Sequence, residues 1–121
     1  MKVPGPDHPI SIAATGARVT VTFNGHVVAD TVEALSLTEA GYPVVHYIAR
    51  GDVDMRVLRR TGHATHCPYK GDAAYWTIDV DGRTAENAVW SYEAPFPAVA
   101  EIGDRLAFYA GKVDDITVTP G

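Results

Sequence analysis

At 121 residues the chain is the size of one domain and can bury about two thirds of its unfolded surface, so size alone demands neither a disulfide nor a structural metal. With 46% hydrophobic and 21% charged residues it has ordinary globular composition, and no stretch approaches the roughly 20 apolar residues that cross a bilayer. A net charge of −5 and a pI near 5.4 repel a phosphate backbone, and Arg56, Arg59 and Arg60 are too few for a basic stripe, which argues against nucleic acid and membrane partners.

Residues 1–8 carry two prolines and a glycine and read as an extended lead-in without the apolar core of a signal peptide. A single cysteine, Cys67, cannot form an internal disulfide, and a reducing cytoplasm is the expected location. The segment ARVTVTF alternates apolar and polar residues, Asn24-Gly25 supplies the two positive φ angles of a tight hairpin turn, and HVVADT returns as the partner strand. The β-branched and aromatic run GYPVVHYIA, residues 41–49, predicts a buried strand. In DVDMRVLRR, Asp52 as N-cap with Met55 and Leu58 on one side predicts one or two helical turns.

Further on, AYWTIDV, Asp81-Gly82 and RTAENAVWSYE predict a second hairpin. PFPAVAEIGD begins with prolines, ends at a glycine and predicts a short helix. RLAFYA and DDITVTP then close the chain as strands around Gly111-Lys112. Short strands spaced about ten residues apart, with turn signals between them, predict a mainly β, antiparallel single domain over residues 1–121, a sandwich or barrel-like sheet with one or two short helices.

Chemistry concentrates in THCPYKGDAAYW, residues 65–76. As a nucleophile, Cys67 needs a neighbour that stabilises its thiolate. His66, adjacent in an extended chain, points to the opposite face, which leaves His63 or the distant His46 as base; the alternative is a buried, inert thiol. His63, His66 and Cys67 have the donor atoms for zinc, but no second ligand pair follows, and no cofactor or metal is predicted. Lys70-Gly71-Asp72 lacks the glycine spacing of a phosphate loop and reads equally as a solvated turn. Ser91 lacks the surroundings of a serine hydrolase elbow. The aromatics Tyr69, Tyr75, Trp76, Trp90, Tyr92, Phe96, Phe108 and Tyr109 are core candidates, and some of them could wall a pocket.

THCPYKGDAAYW, followed by AENAVWSYEAPFP and AFYAGKVD, with HPISI, HVVADT and GYPVVHYI in the front half, resembles the bacterial and fungal "domain of unknown function 427" family over essentially the whole chain. The resemblance implies a fold of the β-tent kind, two sheets meeting at an angle, as in methionine sulfoxide reductase B and the zinc-binding Rab exchange factor. Those zinc proteins carry paired cysteines, which this chain lacks. A nucleotidyltransferase label attached to the family finds no paired aspartates after a glycine-rich turn here. The shared motif residues fall on His66 to Asp72, Tyr75 and Trp76, and on Trp90 to Glu93.

Together these readings predict a small-molecule site between two sheets. His66, Tyr69, Lys70, Asp72, Trp76, Trp90 and Tyr92 are its candidate ligand-binding residues, with Lys70 holding a polar or anionic group, and Cys67 as nucleophile and Glu93 as general base are its candidate catalytic residues. The alternatives are a non-catalytic module that binds a ligand or peptide, and a structural protein, monomeric or a homodimer formed through sheet edges.

Overall fold

A computed structural model describes residues 1–120. Ten strands form: β1 (Ile10–Ala14), β2 (Ala17–Phe23), β3 (His26–Thr31), β4 (Leu35–Glu39), β5 (Val45–Tyr47), β6 (Leu58–Cys67), β7 (Gly71–Val80), β8 (Arg83–Ser91), β9 (Ala107–Phe108) and β10 (Asp115–Pro120). They pair antiparallel in three sheets, ordered β10-β2-β3, β1-β4-β5 and β6-β7-β8-β9. The protein is therefore mainly β and antiparallel, and no sheet closes into a barrel. The sheet beyond the two expected is β1-β4-β5. The chain leaves it for β2 at Gly16, whose φ of 70° is a left-handed turn that glycine adopts without steric cost.

Both predicted tight turns form. Asn24 and Gly25 have φ of 51° and 75°, and Asp81 and Gly82 have φ of 50° and 84°, the pair of positive angles that matches the twist of a two-residue hairpin. A third hairpin joins β6 to β7. Cys67 pairs with Gly71, the Lys70 amide donates to the Cys67 carbonyl at 3.3 Å, and Gly71 takes φ of 110°. The motif is thus a hairpin end whose glycine is required by the backbone.

The short helical segments form where expected, as 3₁₀ turns. A 3₁₀ turn at Arg50–Asp52 leads into DVDMRVLRR, a second forms within it at Met55–Val57, and Leu58 already begins β6. The cap is Asp54, which accepts from the Arg56 amide at 3.2 Å, while Asp52 accepts from the Thr31 hydroxyl. So short a segment yields too few hydrogen bonds to offset helix nucleation, and pairing of β6 with β7 claims its end. Pro97–Ile102 is likewise 3₁₀, broken at Val99.

Two strand expectations also change. Within residues 41–49 only Val45–Tyr47 is strand, because Ile48 leaves the sheet to exchange two 2.8 Å hydrogen bonds with Leu106. The last two strands do not face each other across Gly111-Lys112: β9 pairs with β8, and β10 pairs with β2.

Two hydrophobic clusters result. One packs Val19, Val21, Phe23 and Val28 against Ile78, Val89 and Leu106. The other places Leu37 and Tyr47 over Ala73, Tyr75, Tyr92, Val99 and Ile102. A fully buried Leu or Ile stabilises by about 1.5–3 kcal/mol relative to exposure, so both clusters are substantial. Between them the packing is incomplete.

Candidate functional site

That gap is a cavity of about 740 Å³ where the three sheets meet. Leu37, Val45 and Tyr47 line it from β4 and β5, Val19, Val21 and Ile116 from β2 and β10, and Cys67, Tyr75 and Trp90 from the four-stranded sheet. At its rim stand Tyr42 and Val44, both exposed, with Tyr109. Alternation along the strands explains the selection. Tyr75 and Trp90 are directly opposed across β7 and β8, so both point to the cavity face, and Tyr92, two residues on from Trp90, follows them. The Trp90 ring tilts against Tyr109, centroids 4.4 Å apart, and its Nε1 donates to the Tyr47 hydroxyl at 3.3 Å.

One wall is ionic. The Lys70 ammonium donates to Glu39, and their side chains are only 10% and 13% exposed. The other Glu39 oxygen lies 2.7 Å from His8 Nε2. His8 arrives on the N-terminal segment, which is held over the motif turn by a 2.7 Å hydrogen bond from the Lys2 amide to the Pro68 carbonyl. Its ring stacks on Tyr69 at 4.0 Å. Burial pushes the Glu39 carboxyl up, but hydrogen bonds from Lys70 and His8 outweigh it and hold the group below its ordinary value.

The other polar groups stay uncharged. Burial raises the Tyr47 and Tyr92 hydroxyls well above the usual tyrosine range and pushes Tyr109 up to about 12, where a hydrogen bond with Tyr75 adds to the effect. Burial lowers His46, whose Nδ1 lies 3.2 Å from the Ser36 hydroxyl. At neutral pH the cavity therefore presents phenolic O–H groups, the neutral His46 imidazole and the Lys70–Glu39 pair with His8 on its second carboxylate oxygen.

Of the residues singled out in the sequence, Cys67, Tyr69, Lys70, Trp90 and Tyr92 line this cavity together. His66, Asp72, Trp76 and Glu93 do not. His66 and Asp72 are a cross-strand pair on the opposite face, 2.7 Å apart and largely exposed. Trp76 is core, with the guanidiniums of Arg50 and Arg60 at 5.0 and 5.2 Å from its ring. Glu93 bridges those two arginines, at 3.1 Å from Arg50 and 2.7 Å from Arg60, and the Arg60 hydrogen bond holds its carboxyl below the ordinary value. The expected convergence of Cys67, Lys70, Asp72 and Glu93 on one point does not occur. Asp72 sits three residues before cavity-facing Tyr75 on β7, and Glu93 lies just past the end of β8, next to cavity-facing Tyr92.

His8, Glu39 and Tyr47 carry the cavity's polar character and were not singled out in the sequence. Glu39 had a readable signal: in LSLTE it shares a strand face with Leu35 and Leu37 and ends that apolar row with a carboxylate. His8 had none, since its place depends on how the lead-in drapes over the turn.

None of the candidate bases is hydrogen-bonded to Cys67 among the described residues: His46 bonds Ser36, His66 bonds Asp72, and His63 lies edge-on to the Tyr75 ring at 4.5 Å. Among the described residues no group of three or more His, Cys, Asp or Glu side chains is placed to hold a metal ion. No helix among them is long and apolar enough to cross a membrane.

The segment carrying Trp90 and Tyr92 is tied to the motif turn by the Phe96 amide, which donates to the Lys70 carbonyl at 3.0 Å. The two stretches that looked most distinctive in the sequence are thus parts of one structure. A comparison with curated proteins finds no match. The family model described as "Domain of unknown function (DUF427)" matches residues 11–119, nearly the whole chain, and the chain belongs to that family.

Proposed function

We propose that this protein is a small-molecule-binding domain whose site is the cavity at the junction of the three sheets. The observation that carries this reading is the meeting of five motif residues, Cys67, Tyr69, Lys70, Trp90 and Tyr92, on one cavity of about 740 Å³. Ligand sites typically occupy about 300–1,000 Å³, with mostly apolar walls and a few polar groups that set orientation. Reversible binding is favoured over covalent catalysis because no histidine among the described residues is hydrogen-bonded to Cys67, and because Glu93 is clamped by two guanidiniums outside the cavity.

Thermal unfolding in the presence of a panel of ring-containing compounds tests the proposal. A ligand at a hundred times its Kd stabilises the native state by about 2.7 kcal/mol, which appears as a rise of several degrees in Tm. Val45→Trp, which fills the cavity from β5, should abolish the rise. A panel that leaves Tm unchanged, or a rise that survives Val45→Trp, would remove the cavity as the binding site.

A further inference from the structure

We infer that the ligand of this cavity is an uncharged, ring-containing molecule bearing a hydrogen-bond acceptor, and not a nucleotide or other multiply charged anion. The inference rests on the cavity being the binding site and names what that site accepts.

The charges decide against an anion. All seven arginines of the chain are committed away from the cavity. Arg18 pairs with Asp30, Arg56 with Asp54, Arg59 with Asp79 and Arg83 with Asp114. Arg50 and Arg60 hold Glu93, and Arg105 donates to the Glu33 carbonyl. Lys2 and Lys112 lie over the rings of Tyr69 and Tyr109 without lining the cavity.

The remaining lysine, Lys70, is paired with Glu39, whose second oxygen is held by His8. A phosphate entering here would have to break that buried pair or be desolvated beside a carboxylate, and either is costly. Backbone recognition is missing too. No glycine lines the cavity, and the helical segments among the described residues are 3₁₀ turns of at most six residues, so neither a glycine-rich loop nor a helix terminus is available to cradle phosphates.

The polar groups that do face the cavity suit a neutral acceptor. Tyr92 lies beside Lys70, whose ammonium is 5.9 Å from its ring. Among the described residues Ser91 Oγ is the one buried side-chain polar atom left without a partner. Tyr92 lines the cavity, and its hydroxyl, without a hydrogen-bond partner among the described residues and not among the fully buried unpartnered atoms, is accessible to a ligand there. A phenolic O–H in apolar surroundings donates to a carbonyl or ether oxygen, while Trp90, Tyr75 and Tyr109 supply ring faces for stacking.

Fluorescence titration of the full chain with two naphthalene probes tests this. One is 6-propionyl-2-(dimethylamino)naphthalene, an uncharged ketone whose emission reports hydrogen bonding to its carbonyl. The other is 8-anilinonaphthalene-1-sulfonate, of comparable ring area but permanently anionic; ATP serves as competitor. The ketone should bind at least tenfold more tightly than the sulfonate, resist displacement by ATP and slow alkylation of Cys67. Tyr92→Phe should weaken it by about three- to tenfold, the range of one hydrogen bond, and shift its emission to the blue.

Equal or tighter binding of the sulfonate, or displacement by ATP, overturns the inferred ligand class while leaving the cavity as the site. An unaltered ketone affinity in Tyr92→Phe overturns the acceptor assignment. If neither probe binds the folded protein, or if ketone binding leaves Cys67 alkylation unchanged, the cavity itself is not the site and the inference falls with it.

Discussion

Lys70 and Glu39 form an ion pair across the cavity wall, tying the turn after β6 to the last residue of β4 and so joining two sheets. The pair is more a register device than a source of net stability, because withdrawing two charges from water offsets most of their attraction. Removing one partner is different. Lys70→Met leaves Glu39 buried with only His8 and should cost about 3 kcal/mol in urea unfolding. The double variant Lys70→Met, Glu39→Leu should recover most of that loss. A double variant no more stable than the single one would show that the pair stabilises the fold directly.

The same carboxylate sets an acid limit. The Glu39 carboxyl is held below its ordinary value of 4.5, so the unfolded chain takes up a proton more readily than the native one. Its contribution is fully present above that ordinary value and is lost as the pH falls through the lower, folded value. Glu93, held down by Arg60, acts in the same direction. Stability measured in urea should therefore decline below about pH 4.5. Glu39→Gln should be less stable at neutral pH and show a shallower decline, and a variant with an unchanged slope would exclude Glu39 from the acid transition.

Hairpins were legible in the sequence because their signals are local. Asn24-Gly25 and Asp81-Gly82 state a backbone conformation in two residues. Which motif residues share a face was legible only in part. Alternation separates His66 from Cys67 in the sequence alone, and the same rule places Asp72, Trp76 and Glu93 opposite Tyr75 and Tyr92 once the strand ends are known. What stayed hidden is long-range: Glu39 meets Lys70 from 31 residues away, and His8 meets Glu39 across another 31, through packing that no local pattern encodes. The helical turns expected in DVDMRVLRR stop at Val57 for a related reason, since sheet pairing of Leu58 onward overrode a weak local propensity.

Gly71 shows how far the motif serves the backbone. Its φ of 110° lies where a side chain is strained, although a Cβ there would meet only ordinary contacts at 3.6–3.7 Å. Gly71→Ala should therefore cost about 1–3 kcal/mol from backbone strain alone, read as a drop in urea midpoint with an unchanged slope. A drop within error would mean that the turn relaxes, and that the glycine is not needed by this conformation.

The clamp on the opposite face separates structure from binding. Arg50 and Arg60 lie over Trp76 and share Glu93, a partly exposed arrangement in which each ion pair contributes at most about 1 kcal/mol. Trp76 itself is buried in the core, and Trp76→Ala should cost about 3–5 kcal/mol. Neither Glu93 nor Trp76 reaches the cavity. Glu93→Gln should therefore leave the affinity for the naphthyl ketone unchanged, whereas Trp90→Ala, which strips a ring from the cavity wall, should weaken it at least tenfold. The comparison is made on proteins whose folding is checked by circular dichroism, so that lost binding is not lost structure. Equal losses in Glu93→Gln and Trp90→Ala would mean that the two faces are coupled, and that Glu93 acts on the site from outside it.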